Sequence, residues 1–156
     1  MTRRKVLYGS ECKQMNLSDT QATIQPDQLN GAALAYLGDA VFELAVRNYI
    51  LKQGKTAPNR LHKAAIKFVS AQAQAKIIQF WLTESNGLTA DELTIYKRGR
   101  NHKANTRAKN ASIGDYRQAT GFEALIGWLH LSGQEDRLQE LMTQAIRLIE
   151  EEQVHV

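Results

Sequence analysis

The stretch LAYLGDAVFEL, residues 34–44, sets Leu34, Leu37, Val41 and Leu44 at three- and four-residue spacing. That spacing lines them along one stripe of an α-helix. Gly38 and Asp39 interrupt the stripe. Both residue types are poor in helix interiors, Gly by about 1 kcal/mol relative to Ala. A second stretch repeats the anomaly: in ATGFEALIGWL, residues 119–129, Glu123 lies among Phe122, Ala124, Leu125 and Ile126, close to Gly121 and Gly127. Glycine lets another backbone approach closely. Two helices crossing at their small residues would bring Asp39 and Glu123 together, and two buried carboxylates repel unless a proton or a cation sits between them. Mg²⁺ suits such a pair, because it is often held by one or two carboxylates with waters and substrate phosphates. The plainer alternative pairs each acid with a base at the core edge, Arg47 or Arg117. Pattern alone leaves both open. Glu43, one turn after Asp39, reads as a solvated helix residue outside the site.

Outward from these stretches, the periodicity predicts helices and no alternating strand pattern. One long amphipathic helix runs from Gln28 to Leu51 and closes at the Gly54 turn. Pro58 opens the next, with Leu61, Ala64, Ala65 and Phe68 inward. Ser70 caps a third, carrying Ala73, Ile77, Phe80 and Trp81. Thr89-Ala-Asp-Glu92 has capping-box spacing and starts a fourth, through Leu93 and Tyr96. Asp115 caps a fifth, Tyr116 to Leu131, and Gln134 to Glu152 forms a sixth. The expected fold is all-α, one domain over residues 29–152, preceded by a loose polar arm, residues 1–28.

The net charge of +4 is unevenly spread. Residues 29–133 hold fourteen Lys/Arg against seven Asp/Glu, and the tail from 134 is acidic. A basic domain suits a polyanionic partner, although lysines also serve solubility. The bases concentrate in KRGRNHKANTRAKN, Lys97 to Asn110, and no acid occurs from Leu93 through Gly114. Such a loop can follow phosphates with charge and Asn amides. It has no aromatic residue to stack single-stranded bases, which favours a duplex read by backbone and shape.

Other chemistry finds little support. Cys12 is the only cysteine, so an intrachain disulfide and Cys-ligated zinc are excluded. The four histidines lack metal-ligand spacing, His130 reads as structural, and Trp81 and Trp128 read as core. No nucleophile elbow, phosphate loop or dinucleotide fingerprint appears. The N-terminus lacks the apolar run of a signal peptide, and no stretch is long and apolar enough to span a membrane, so the expected location is cytoplasmic.

LAYLGDAV and FEALIGWL resemble the ribonuclease III catalytic domain, a family with LGD on one helix and F/V-E-A-L-I-G on another. The form GAALAYLGDAVFEL, the segment HKAAIKFVSAQAQA and KRGRN resemble its compact branch, the Mini-ribonucleases III, from about Leu29 to the last helix. The resemblance implies a homodimeric endoribonuclease that cuts double-stranded RNA with Mg²⁺, leaving 5′-phosphate ends and a short 3′ overhang. Its implied substrate is the precursor of 23S ribosomal RNA, with ribosomal proteins on that RNA as further partners. By the same resemblance Asp39 is the catalytic aspartate and Glu123 the metal-binding glutamate. Two further acids of the larger enzymes are replaced by Ala35 and Thr120, whose hydroxyl could hold a metal-bound water. No separate double-stranded RNA-binding domain is expected after Ile149. Substrate grip then falls to Lys97, Arg98, Arg100, Asn101, His102, Lys103, Arg107 and Lys109. The main alternative is a non-catalytic ribonuclease III-like RNA-binding protein in ribosome assembly, which the missing acids favour and the retained Asp39 and Glu123 disfavour. A weaker one is a helical module docking a protein through the basic loop.

Overall fold

Two helices touch backbone to backbone, and the rest of the chain is arranged around that crossing. The computed structural model describes residues 24–102 and 112–154. Among the described residues lie a 3₁₀ turn, Pro26–Gln28, and six α-helices: α1 Gly31–Lys52, α2 Pro58–Val69, α3 Ala71–Thr83, α4 Ala90–Arg100, α5 Ile113–Leu131 and α6 Glu135–Val154. None of these residues is in a strand, so the all-α expectation holds.

Helix α5 is apolar on nearly every side, which is the signature of a helix buried all round. Phe122 and every residue from Ala124 to Leu129 are buried. α1, α3 and α4 pack most heavily against it. Phe122 is the hub of the aromatic packing: Phe42 of α1 meets its ring edge-on at 4.8 Å and Trp81 of α3 stacks on it at 5.6 Å. Phe80, expected on the inner face beside Trp81, is instead exposed. The α1–α5 contact depends on glycine. A Cβ on Gly38 would overlap the Glu123 carbonyl, and one on Gly127 would overlap the Leu34 carbonyl. Gly99 likewise lets the end of α4 approach Thr120 and Gly121 of α5, though less closely.

Local signals set most helix ends. Ser70 and the Thr89–Glu92 capping box act as expected. Glu92 is buried and held by Arg137 of α6 at 2.8 Å, so the cap of α4 is tied to the last helix. Three boundaries differ from expectation. α1 starts at Gly31 because Asn30 accepts from the Ala33 N–H and caps it. Ser112, not Asp115, caps α5, and Asp115 sits in the first turn, where its charge suits the helix dipole. α4 continues through Lys97, Arg98 and Arg100, which the sequence reading puts in a loop, because Gly99 packs against α5. At the other end, residues 24–28 of the expected loose arm are docked: Asp27 Oδ1 accepts from Trp128 Nε1 at 2.7 Å. Residues 1–23 of that arm lie outside the described residues.

Substituting Gly38 with alanine should force α1 off α5. A loss of about 3 kcal/mol in urea unfolding is expected, as for overpacking at a site that cannot relax. Unchanged stability would mean the helices tolerate a methyl group between them.

Candidate metal-binding carboxylate pair

The crossing that excludes side chains at Gly38 also decides where the neighbouring acids go. Gly38 abuts the backbone of Glu123 itself, so Asp39, one residue on, is brought beside the Glu123 side chain. The two carboxyl groups are close enough to hydrogen-bond. Asp39 is exposed and Glu123 half-buried, so the pair opens to the surface rather than into the core. Neither acid has an ion pair among the described residues, and Arg47 bonds Glu43 at 2.7 Å instead. The alternative in which Arg47 or Arg117 neutralises the pair is therefore not what the structure builds.

Without a basic partner, a proton must separate the carboxylates. Burial, then the charge and hydrogen bond of Asp39, then the charge of Glu43, push the Glu123 carboxyl up to about 9. Glu43 thus belongs to the electrostatics of the site, although its sequence position one turn after Asp39 suggested only a solvated residue. A two-carboxylate, all-oxygen donor set that retains a proton near neutral pH fits a hard divalent cation such as Mg²⁺, with water or substrate oxygens completing the shell. No group of three or more His, Cys, Asp or Glu among the described residues is arranged to hold a metal. Ala35 is buried in the core, and the Thr120 hydroxyl donates to the Tyr116 carbonyl at 3.0 Å, leaving its lone pairs free to accept.

The basic segment divides. Lys97, Arg98 and Arg100 stand on the last turn of α4, followed by exposed Asn101 and His102. The end of α4 meets α5 at Thr120 and Ala124, within a turn of Glu123. Arg98, expected on the substrate side, instead donates through Nη1 to the Asp27 and Leu29 carbonyls at 2.6 and 3.1 Å, fastening the 3₁₀ turn to α4. Arg100 lies over the Tyr96 ring at 5.6 Å and donates to Asn101. Lys103, Arg107 and Lys109 lie outside the described residues.

Residues 32–134 match the Ribonuclease III domain family. The chain is 51% identical to Mini-ribonuclease 3 of Enterococcus faecalis over 80% of this chain and 93% of that one. It is 45% identical to Mini-ribonuclease 3 of Clostridium tetani over 95% of this chain and 91% of the relative. A Fusobacterium nucleatum protein of known crystal structure superposes with a TM-score of 0.67 at 32% identity, covering 77% of this chain and 93% of the other.

The raised carboxyl of Glu123 has a consequence for metal-free protein. The fold binds a proton there that the unfolded chain, with a carboxyl near 4.5, releases. Stability should therefore fall as pH rises from about 4.5 to about 9, by at most about 1.4 kcal/mol per pH unit. Glu123→Gln keeps the shape and should remove that component. Thermal melts in EDTA at several pH values would read it, and equal slopes in both proteins would place Glu123 apart from Asp39.

Proposed function

The chain belongs to the ribonuclease III family, and from that membership we propose that it is an endoribonuclease cutting double-stranded RNA at the Asp39–Glu123 pair, with Mg²⁺ as its cofactor. The observation that carries this reading is the contact between two carboxyl groups that no base among the described residues neutralises, brought together by a glycine crossing. A pure binder of RNA has no use for such a pair, which repels the phosphates it would meet. That weighs against the non-catalytic alternative.

When bound, Mg²⁺ would supply an acidified water and neutralise charge building on the phosphate. Asp39 and Glu123 would hold it, and Glu123 must release its proton for that to happen. Water attacks phosphorus and the bond to the 3′ oxygen breaks, leaving a 5′-phosphate and a 3′-hydroxyl. Lys97, Arg100, Asn101 and His102, at the end of α4 beside α5, hold neighbouring phosphates, and Lys103, Arg107 and Lys109 continue the series. Arg98 is left out of this set, since its guanidinium is engaged by backbone carbonyls. Ala35 and Thr120 leave a site with few protein ligands, so substrate phosphates complete the shell and metal and RNA each strengthen the other's binding.

The substrate we assign is the precursor of 23S ribosomal RNA, met in the cytoplasm with its ribosomal proteins. It rests on kinship with the Mini-ribonuclease 3 proteins. No helix among the described residues is long and apolar enough to cross a membrane. We further assign a homodimer. Tyr36 and Leu44, 85% and 62% exposed, share the outer face of α1 with exposed Ala40, an apolar strip beside Asp39 that a second copy would cover.

Asp39→Asn should cut cleavage of a precursor duplex in Mg²⁺ by about a thousandfold or more, the upper end of losing one transition-state contact. Duplex binding in EDTA should persist. Cleavage near the wild-type rate would overturn the assignment. Tyr36→Lys should shift the sedimenting species from dimer to monomer without lowering the protomer's own stability, and a wild-type protein that sediments as a monomer would refute the dimer.

A further inference from the structure

The end of α4 is joined to three other elements at one corner of the fold. Arg98, half-buried on the last turn, donates through Nη1 to two backbone carbonyls, those of Asp27 at 2.6 Å and Leu29 at 3.1 Å. The Asp27 side chain makes a separate bond: Oδ1 accepts from Nε1 of buried Trp128 on α5 at 2.7 Å. Leu29 closes the 3₁₀ turn and Asn30 caps α1, so Arg98 also holds the entry to α1. Gly31, the first residue of that helix, packs on the Arg98 carbonyl. α4 therefore reaches α5 twice, directly where Gly99 meets Thr120 and through Arg98 and Asp27 at Trp128. Eight residues separate Thr120 from Trp128, about 12 Å of helix, and Glu123 lies between them.

Asp27 is exposed, and the structure docks it on a run of chain, Leu93 through Gly114, that contains no acid of its own. A carboxylate there repels the phosphates that the α4 end is to hold, so electrostatics alone favours its loss. Its use is geometric: a charge-assisted bond to a buried indole N–H is strong and directional. The last turn of α4 also needs fixing from outside. It contains Gly99, a poor helix former, and the carbonyls of a last turn have no partner within the helix. We propose that Arg98, Asp27 and Trp128 form a positioning clasp, which holds Lys97, Arg100, Asn101 and His102 in place for the duplex before it arrives. Arg98 is then a positioning residue, acting through the neighbours it orders and touching no phosphate. This rests on the reading that the substrate is double-stranded RNA gripped at the end of α4. Preorganised side chains lose little freedom on binding, so the clasp strengthens the grip without adding a contact.

Geometry and charge predict opposite signs for one substitution. Binding of a labelled RNA duplex to full-length protein is followed by fluorescence anisotropy in EDTA across a salt series, well below the melting temperature of each variant. Asp27→Ala removes a negative charge, which by electrostatics alone would tighten binding. The clasp predicts binding about three- to tenfold weaker, as when one or two long side chains must be ordered by the ligand. Trp128→Phe alters no charge and should weaken binding as much. Asp27→Asn keeps an oxygen acceptor for the indole and should bind no more weakly than the wild type. Arg98→Gln should weaken binding while its log–log salt slope stays within about half a unit, whereas a lost phosphate contact makes the slope shallower by about 0.9. At saturating duplex in Mg²⁺, Asp27→Ala should cleave at the wild-type rate, because the α1–α5 crossing is untouched. Equal or tighter binding by Asp27→Ala or Trp128→Phe overturns the clasp and leaves the substrate reading in place. So does an Asp27→Asn protein as weak as Asp27→Ala, which makes charge the cause. An Arg98→Gln slope shallower by about 0.9 returns Arg98 to the phosphate contacts and refutes its positioning role. A loss of saturated rate with affinity intact would tie the corner to the carboxylate pair instead and refute the clasp as well. Failure of the wild type to bind any duplex would overturn it together with the substrate reading.

Discussion

Everything in this protein that bears on chemistry follows from how closely α1 and α5 approach. Gly38 and Gly127 remove the side chains that would keep the two backbones apart, and the contact falls at Glu123 itself. Larger residues there would separate the helices and open the core around Phe42, Trp81 and Phe122. They would also separate the carboxyl groups, which need no strand, loop or hinge to meet. The site is built into the packing of the core, so its geometry is as rigid as the core.

Much of this is legible in the residues, for a physical reason. Helix caps are local: Ser70 and the Thr89–Glu92 box act over three residues, and a sequence displays them directly. The anomaly of an acid beside a glycine in an apolar helix is also visible, and it points to a close crossing. What the sequence conceals is tertiary. Gly99 looks like a breaker, yet α5 packs against it and α4 continues to Arg100. Arg98 looks like a phosphate contact, but its partners are backbone carbonyls, which leave no mark on the sequence. Glu43 looks solvated because only the neighbouring helix brings Glu123 within reach of its charge. The α5 cap is a closer contest, since Ser112 and Asp115 are both good caps and the chain uses the earlier one.

Charge is organised around the carboxylates with opposite signs at different ranges. At close range Asp39, Glu43 and Glu123 repel one another, and the metal-free fold answers with a retained proton. At longer range the chain is cationic at the end of α4, which packs on α5 within a turn of Glu123. The inner negative charge selects for a cation, and the outer positive charge gathers polyanion. These demands do not cancel, because water screens interactions beyond about a Debye length, 8–10 Å at ordinary salt.

The burial of α5 also governs when this protein can exist during its own synthesis. α5 is the element that α1, α3 and α4 share, and it follows all of them in the chain. Until it leaves the ribosome, the earlier helices lack the element that α1, α3 and α4 pack against most heavily, and short helices with little tertiary packing are marginal in water. The nascent chain is consequently a set of unstable helices for most of its length, and long-range contacts of this kind form late. Asp39 is made early but acquires its partner only when Glu123 emerges. A ribosome-bound fragment ending before α5 therefore carries the bases of α4 without the carboxylate pair.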